Sequence, residues 1–103
     1  MTVENYVNGE LDGEQITYYD NGQVSETINY VDGKKQGKQL VYSVKGVLIK
    51  EFTYANGELN GVNKFFSGRG VLTIEGMYKN DKKNGYWKYY DNAGNFVREK
   101  KYE

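Results

Sequence analysis

The sequence predicts an all-β protein: an elongated, single-layer antiparallel meander of about nine strands, built from four tandem β-hairpin repeats, with little or no helix. Three observations lead there. Tyr6, Tyr30, Tyr54, Tyr78 and Tyr102 recur every 24 residues with nothing inserted or deleted. Glycines keep the same period as Gly9, Gly33 and Gly57, as Gly13, Gly37, Gly61 and Gly85, and as Gly22, Gly46, Gly70 and Gly94. Between them lie short segments such as "EQITYY" and "QVSETINY", in which apolar and polar residues alternate as they do along a strand, while no window carries an apolar stripe at helical spacing.

Taken in order, a partial strand over residues 1–5 precedes four units at 6–29, 30–53, 54–77 and 78–101, and the chain 1–103 reads as one repeat domain. Each unit opens on a tight turn, where glycine follows Asn or Asp because successive residues with positive φ are needed. Only Asp81 departs, and Asp tolerates that conformation. A strand follows, then a second turn at the third glycine, then a return strand. Ile16, Tyr18, Val24, Ile28 and Tyr30 share one numerical parity, and Gln15, Thr17, Ser25, Thr27 and Asn29 the other. The apolar phase returns as Leu40, Tyr42, Leu48, Phe52 and Tyr54, then as Phe66, Leu72, Ile74 and Tyr78, then as Tyr90, Phe96 and Tyr102. This predicts one apolar face, on a sheet roughly 40 Å long at about 4.8 Å per strand.

Composition limits the chemistry. The chain has no Cys, His or Pro, and a mean hydropathy of −0.83. Disulfides, thiolate or imidazole metal sites and a Ser–His pair are therefore excluded. Ser25, Ser43 and Ser67 have no evident base, the glycines lack the Lys-Ser/Thr ending of a phosphate loop, and Glu10, Asp12 and Glu58 read as solvated turn residues. No enzyme activity, cofactor or metal is expected. The segment "MTVENYVNGE" has neither a signal-peptide pattern nor the length of a membrane span, so the expected location is the cytoplasm and a membrane partner is not expected. Charge is segregated: residues 1–33 are net −7 and the remainder net +7. Such a field orients association.

The series Tyr-x-x-Gly-x-x-x-Gly, followed by an aromatic residue and a third glycine, resembles the MORN repeat, most closely the bacterial variant found in a family of toxin–antitoxin antitoxins. The resemblance spans essentially the whole chain. It implies an elongated single-layer sheet whose aromatic side chains line a groove used for contacts with proteins or, in some relatives, phospholipids. This chain departs from the pattern at Asp81, at Gly76 where other units have Ile28, Phe52 or Lys100, and at Lys64 and Lys88 where the first two have Ile16 and Leu40. These departures loosen the apolar face toward the C-terminus.

Phe65, Trp87 and Tyr89 have the parity that earlier units fill with Gln15, Thr17 and Gln39, so they are expected on the face opposite the repeated tyrosines. Val41, Ile49, Met77 and Val97 are expected to join them, and Lys64, Lys88 and Arg98 stand among them. An exposed aromatic patch marks an interaction site. The expected function is a non-enzymatic protein-binding inhibitor or antitoxin-like neutraliser of a toxin or host effector, through a sheet face or groove. The alternative is contact with single-stranded RNA or DNA through the basic aromatic C-terminal half, with phospholipid headgroups third. An edge-strand dimer would use "TVENYV", since "FVREKKYE" carries charges that discourage edge pairing.

Overall fold

The computed structural model describes residues 2–4, 6, 7 and 9–103, and for residues 2, 6, 7 and 10 the backbone alone. Of the partial strand expected over 1–5, Met1 and Asn5 lie outside the described residues, as does the Tyr6 side chain. The strands are Thr2–Val3 (β1), Tyr6–Val7 (β2), Glu10–Leu11 (β3), Gly13–Tyr18 (β4), Val24–Val31 (β5), Lys34–Lys35 (β6), Gly37–Tyr42 (β7), Leu48–Ala55 (β8), Glu58–Leu59 (β9), Gly61–Phe66 (β10), Leu72–Lys79 (β11), Lys82–Tyr90 (β12) and Phe96–Tyr102 (β13). Neighbours along the main sheet run β1, β4, β5, β7, β8, β10, β11, β12 and β13, with β6 beside β5, β9 beside β8, and β2 and β3 as a separate pair. "TVENYV" is thus two short strands with different partners rather than one edge. The described residues contain no helix, and the open meander measures 47 × 35 × 11 Å, one layer thick.

Two kinds of turn set the spacing. Val31 pairs with Lys34 across Asp32 and Gly33, whose φ angles are 51° and 79°. Asn80 and Asp81 adopt 51° and 68° in the corresponding turn, so Asp81 replaces glycine without changing the geometry. These turns also join successive hairpins: Gly33 N–H donates to Leu11 O at 2.8 Å, Gly57 N–H to Lys35 O at 2.8 Å, and Asp81 N–H to Leu59 O at 2.9 Å. The other turn is closed by Gly22 N–H donating to Tyr19 O at 3.0 Å with Gly22 at φ 87°, and Gly46, Gly70 and Gly94 repeat it.

After each of these second turns the register slips. Tyr18 lies opposite Val24 whereas Thr17 lies opposite Glu26, which leaves Ser25 as the extra residue of a β-bulge. Ile49, Thr73 and Val97 are its counterparts. Ser25 Oγ donates to Thr17 O at 3.0 Å, and Thr73 Oγ1 to Phe65 O at 3.1 Å.

The bulge and the hairpin geometry overturn the expectation of one apolar face. Residues paired across strands project from the same side. Ile28 pairs with Gln15, and Tyr30 with Gly13, but Ile16 pairs with Thr27, and Tyr18 with Val24. Up to the bulge, even numbers in paired strands therefore point to opposite sides, and beyond it Tyr18 and Val24 share one. One side, the tyrosine face, carries Ile28, Tyr30, Phe52, Tyr54, Phe65, Ile74, Tyr78 and Tyr102. The other, the ladder face, carries Ile16, Tyr18, Val24, Leu40, Tyr42, Leu48, Phe66, Leu72, Tyr90 and Phe96.

Candidate interaction face

Burial is concentrated along the tyrosine face. Among the described residues Ile28 and Trp87 are the buried hydrophobic ones, at 3% and 2% exposure, and Gln39 and Asn63 the buried polar ones, at 9% and 0%. Gln39, Asn63 and Trp87 occupy one repeat position, 24 residues apart. There the ladder between successive hairpins opens: β8 and β10 pair only at Glu51 with Lys64 and at Lys50 with Phe65. The Asn63 side chain reaches into the gap and accepts from Thr53 N–H at 3.1 Å. In the next hairpin Trp87 Nε1–H donates to Met77 O at 3.1 Å.

Trp87 therefore belongs to the scaffold and lies on the same face as the tyrosines, contrary to its expected place. Its ring is edge-on to Tyr78 at 5.2 Å and to Tyr102 at 6.1 Å, with Lys83 Nζ 4.7 Å from its centroid. Gly76 lies directly beneath: a Cβ there would collide with the indole ring. The expected loosening at Gly76 is thus reversed, because the missing side chain is the space that Trp87 fills.

The remaining expected contact residues divide between the faces. Val41, Phe65, Tyr89 and Arg98 fall on the tyrosine face, in one row across the strands. Along it Glu26 pairs with Val41, Val41 with Lys50, Lys50 with Phe65, Phe65 with Ile74, Ile74 with Tyr89, and Tyr89 with Arg98. The Phe65 ring meets Phe52 edge-on at 5.5 Å, and the Arg98 guanidinium covers Tyr89 at 4.2 Å. Lys64, Lys88 and Met77 are on the ladder face, and Ile49 and Val97 sit at the bulges.

The ladder face has its own row. Val3, Ile16, Thr27 and Leu40 lead into Glu51, Lys64, Glu75, Lys88 and Glu99, each paired with the next. Its charges alternate strand by strand, and Lys64 Nζ stands 3.8 Å from Glu75. Beside them Val62, Met77 and Tyr86, at 37%, 46% and 55% exposure, line a shallow depression of about 630 Å³ with Glu75, Lys88 and Glu99. Sequence parity missed this patch because Val62 and Tyr86 stand where other units have Glu14 and Lys38.

Electrostatics also differ along the tyrosine face. Partial burial, then the charges of Asp81 and Glu26, push the Tyr54 phenol above its ordinary pKa of 10.0. At Tyr102 burial acts upward, but a hydrogen bond with Tyr89 and the charges of Lys100 and Lys83 bring the net shift downward. No group of three or more acidic residues able to hold a metal ion occurs among the described residues.

A family profile described as a MORN repeat variant matches residues 11–32, a window about one hairpin long. No curated protein matches the chain. The chain is thus a small all-β protein carrying a motif similar to the MORN repeat variant, and no helix long and apolar enough to cross a membrane occurs among the described residues. A thin repeat sheet of this kind presents broad open faces, the architecture of an interaction module in general.

Proposed function

We propose that this chain is a non-enzymatic protein-binding module, one array of four units at 6–29, 30–53, 54–77 and 78–101, that acts by occupying a protein target as an inhibitor or antitoxin-like neutraliser does. The observation that carries the binding role is the row of Val41, Phe65, Ile74 and Tyr89 on a sheet over which no second layer packs among the described residues, interleaved with Lys50 and Arg98. Mixed apolar and cationic surface of this kind is suited to a protein partner. The inhibitory role rests on the resemblance of the repeat.

Stacking of nucleic-acid bases is the weaker fit. Bases need open aromatic faces. Trp87 is buried beneath Lys83, and Tyr89 is covered by Arg98.

The test is affinity capture from the native host, with protein and nucleic-acid fractions both retained, comparing the wild type with a Phe65→Ser, Tyr89→Ser variant. A protein held by the wild type and lost by the folded variant is the expected result. Capture of nucleic acid alone, or unchanged protein capture by the variant, would contradict the reading. The captured target should also lose activity when the chain is added; full activity in the complex would remove the inhibitory role.

A further inference from the structure

We infer that the C-terminal part of the tyrosine face binds an acidic, apolar segment of a partner protein, which names the chemistry of the partner and rests on the protein-binding reading above. The argument begins with where the carboxylates point. From β6 onward the acidic strand residues are Glu51, Glu58, Glu75 and Glu99, and the pairing puts all four on the ladder face. Over the same strands the tyrosine face carries Lys35, Lys50, Lys83, Arg98 and Lys100. A sheet that balanced its charges only for solubility would mix signs on both sides, as the ladder face does with Glu51, Lys64, Glu75 and Lys88. Over these strands the ladder face partly offsets its seven lysines with four glutamates, Lys38 with Glu51 and Lys64 with Glu75 as ion pairs, whereas the tyrosine face carries its five cations without a strand carboxylate.

Two of these cations are set for an incoming anion. Lys50 and Arg98 are exposed and lie four strand steps apart, about 19 Å at ~4.8 Å per step. Phe65, Ile74 and Tyr89 lie between them in the same row. A ligand lying along this row meets Lys50, then Phe65 and Ile74, then Arg98 stacked over Tyr89. An acidic segment carrying aliphatic side chains complements that order, because its carboxylates reach the two cations while its apolar groups cover the half-buried rings. Lys83 and Lys100 flank the lower end around Trp87 and Tyr102, 4.7 and 5.0 Å from the respective ring centroids, and extend the positive field. The nearest opposing groups are Glu26, one strand pair beyond Val41, and Asp81, whose Oδ1 already accepts from Leu59 N–H at 2.7 Å.

The experiment measures binding of fluorescent probes to the full chain. The row from Val41 to Arg98 spans about 24 Å, which about sixteen residues cover as a helix at ~1.5 Å each. The probes are therefore a peptide of that length mixing Glu with Leu and Ala, its counterpart with Lys in place of Glu, and an oligo-dT strand. The acidic peptide is expected to bind at least about ten-fold more tightly than the basic one, with affinity falling as salt rises. Lys50→Glu with Arg98→Glu should abolish that preference, whereas Lys88→Glu on the ladder face should leave it within about two-fold. All three residues are exposed, so the variants test the surface without emptying the core. Equal binding of the two peptides, no binding of either, or retention of acidic-peptide binding in the Lys50, Arg98 variant would overturn the inference. Tighter binding of oligo-dT than of the acidic peptide would overturn it in favour of nucleic acid. Native-partner capture by the Lys50, Arg98 variant separates the two levels: capture of the same protein leaves the protein-binding reading standing while the acidic-segment inference fails.

Discussion

Gln39 and Trp87 occupy the same position in the second and fourth units, and both are buried on the tyrosine face, yet one is an amide and the other the largest side chain available. The difference lies in what each one faces. One residue beyond the paired Thr27 and Leu40, Gln39 comes opposite Ile28; one residue beyond Glu75 and Lys88, Trp87 comes opposite Gly76. In the unit between, the same reasoning sets Asn63 opposite Phe52. Ile with Gln, Phe with Asn and Gly with Trp are three ways to fill one gap between hairpins. The repeat conserves the filled volume of the junction, and the residue types exchange across it.

Changing the larger partner alone gives the largest expected effect. Trp87→Ala empties the junction and removes the hydrogen bond to Met77 O, and should cost about 3–5 kcal/mol in urea denaturation. That is a large share of the roughly 5–15 kcal/mol expected for a protein of this size. A loss below about 1 kcal/mol would mean that the junction near the C-terminus is not closed by Trp87.

Enlarging the small partner is the converse. Gly76→Ile alone drives a side chain into the indole and should cost about 1–3 kcal/mol. Asn63→Ala removes the acceptor of Thr53 N–H and should cost about 1 kcal/mol or slightly more, with the change in amide exchange localised at Thr53. Uniform exchange along β8 would contradict that assignment.

The smallest expected effect separates the two ends by alkaline titration. A raised folded pKa at Tyr54 gives stability that is present below the ordinary phenol value of 10.0 and is lost as pH rises through the folded value. At Tyr102 the lowered pKa works the other way, giving stability present above the ordinary value and lost as pH falls through the folded one. Absorbance titration should find Tyr102 ionising before Tyr54. Tyr54→Phe should lessen the alkaline loss of stability, and Tyr102→Phe should deepen it. The reverse order of ionisation would show that Lys83 and Lys100 do not act on Tyr102.

Much of the scaffold was legible in the sequence, because period, turn chemistry and strand alternation are local properties. The nine-strand path of the main sheet, the left-handed turn residues including Asp81, and the lack of helix among the described residues follow from letters a few positions apart. The distribution of residues between faces was not legible from numerical parity. Facing across a hairpin depends on the turn and on the bulge at Ser25, Ile49, Thr73 and Val97, which reset the phase between paired strands. Parity put Trp87 on the side opposite Tyr78, and pairing puts both on one side. Val41, Phe65, Tyr89 and Arg98 stayed together because each is one residue in the same cross-strand row, whereas Lys64 and Lys88, their sequence neighbours, turned to the other face. Adjacency in sequence separates side chains in a strand, and adjacency across the sheet joins them.

The central claim is that Trp87 closes a junction and is not itself a contact for a partner. It is tested most directly by urea denaturation of the double variant Gly76→Ile, Trp87→Gln, which recreates in the fourth unit the pair that Ile28 and Gln39 form. The account predicts that the double variant recovers at least about 1 kcal/mol relative to the sum of the two single losses, and keeps the partner binding of the wild type. Additive losses, or recovered stability with binding abolished, would contradict it.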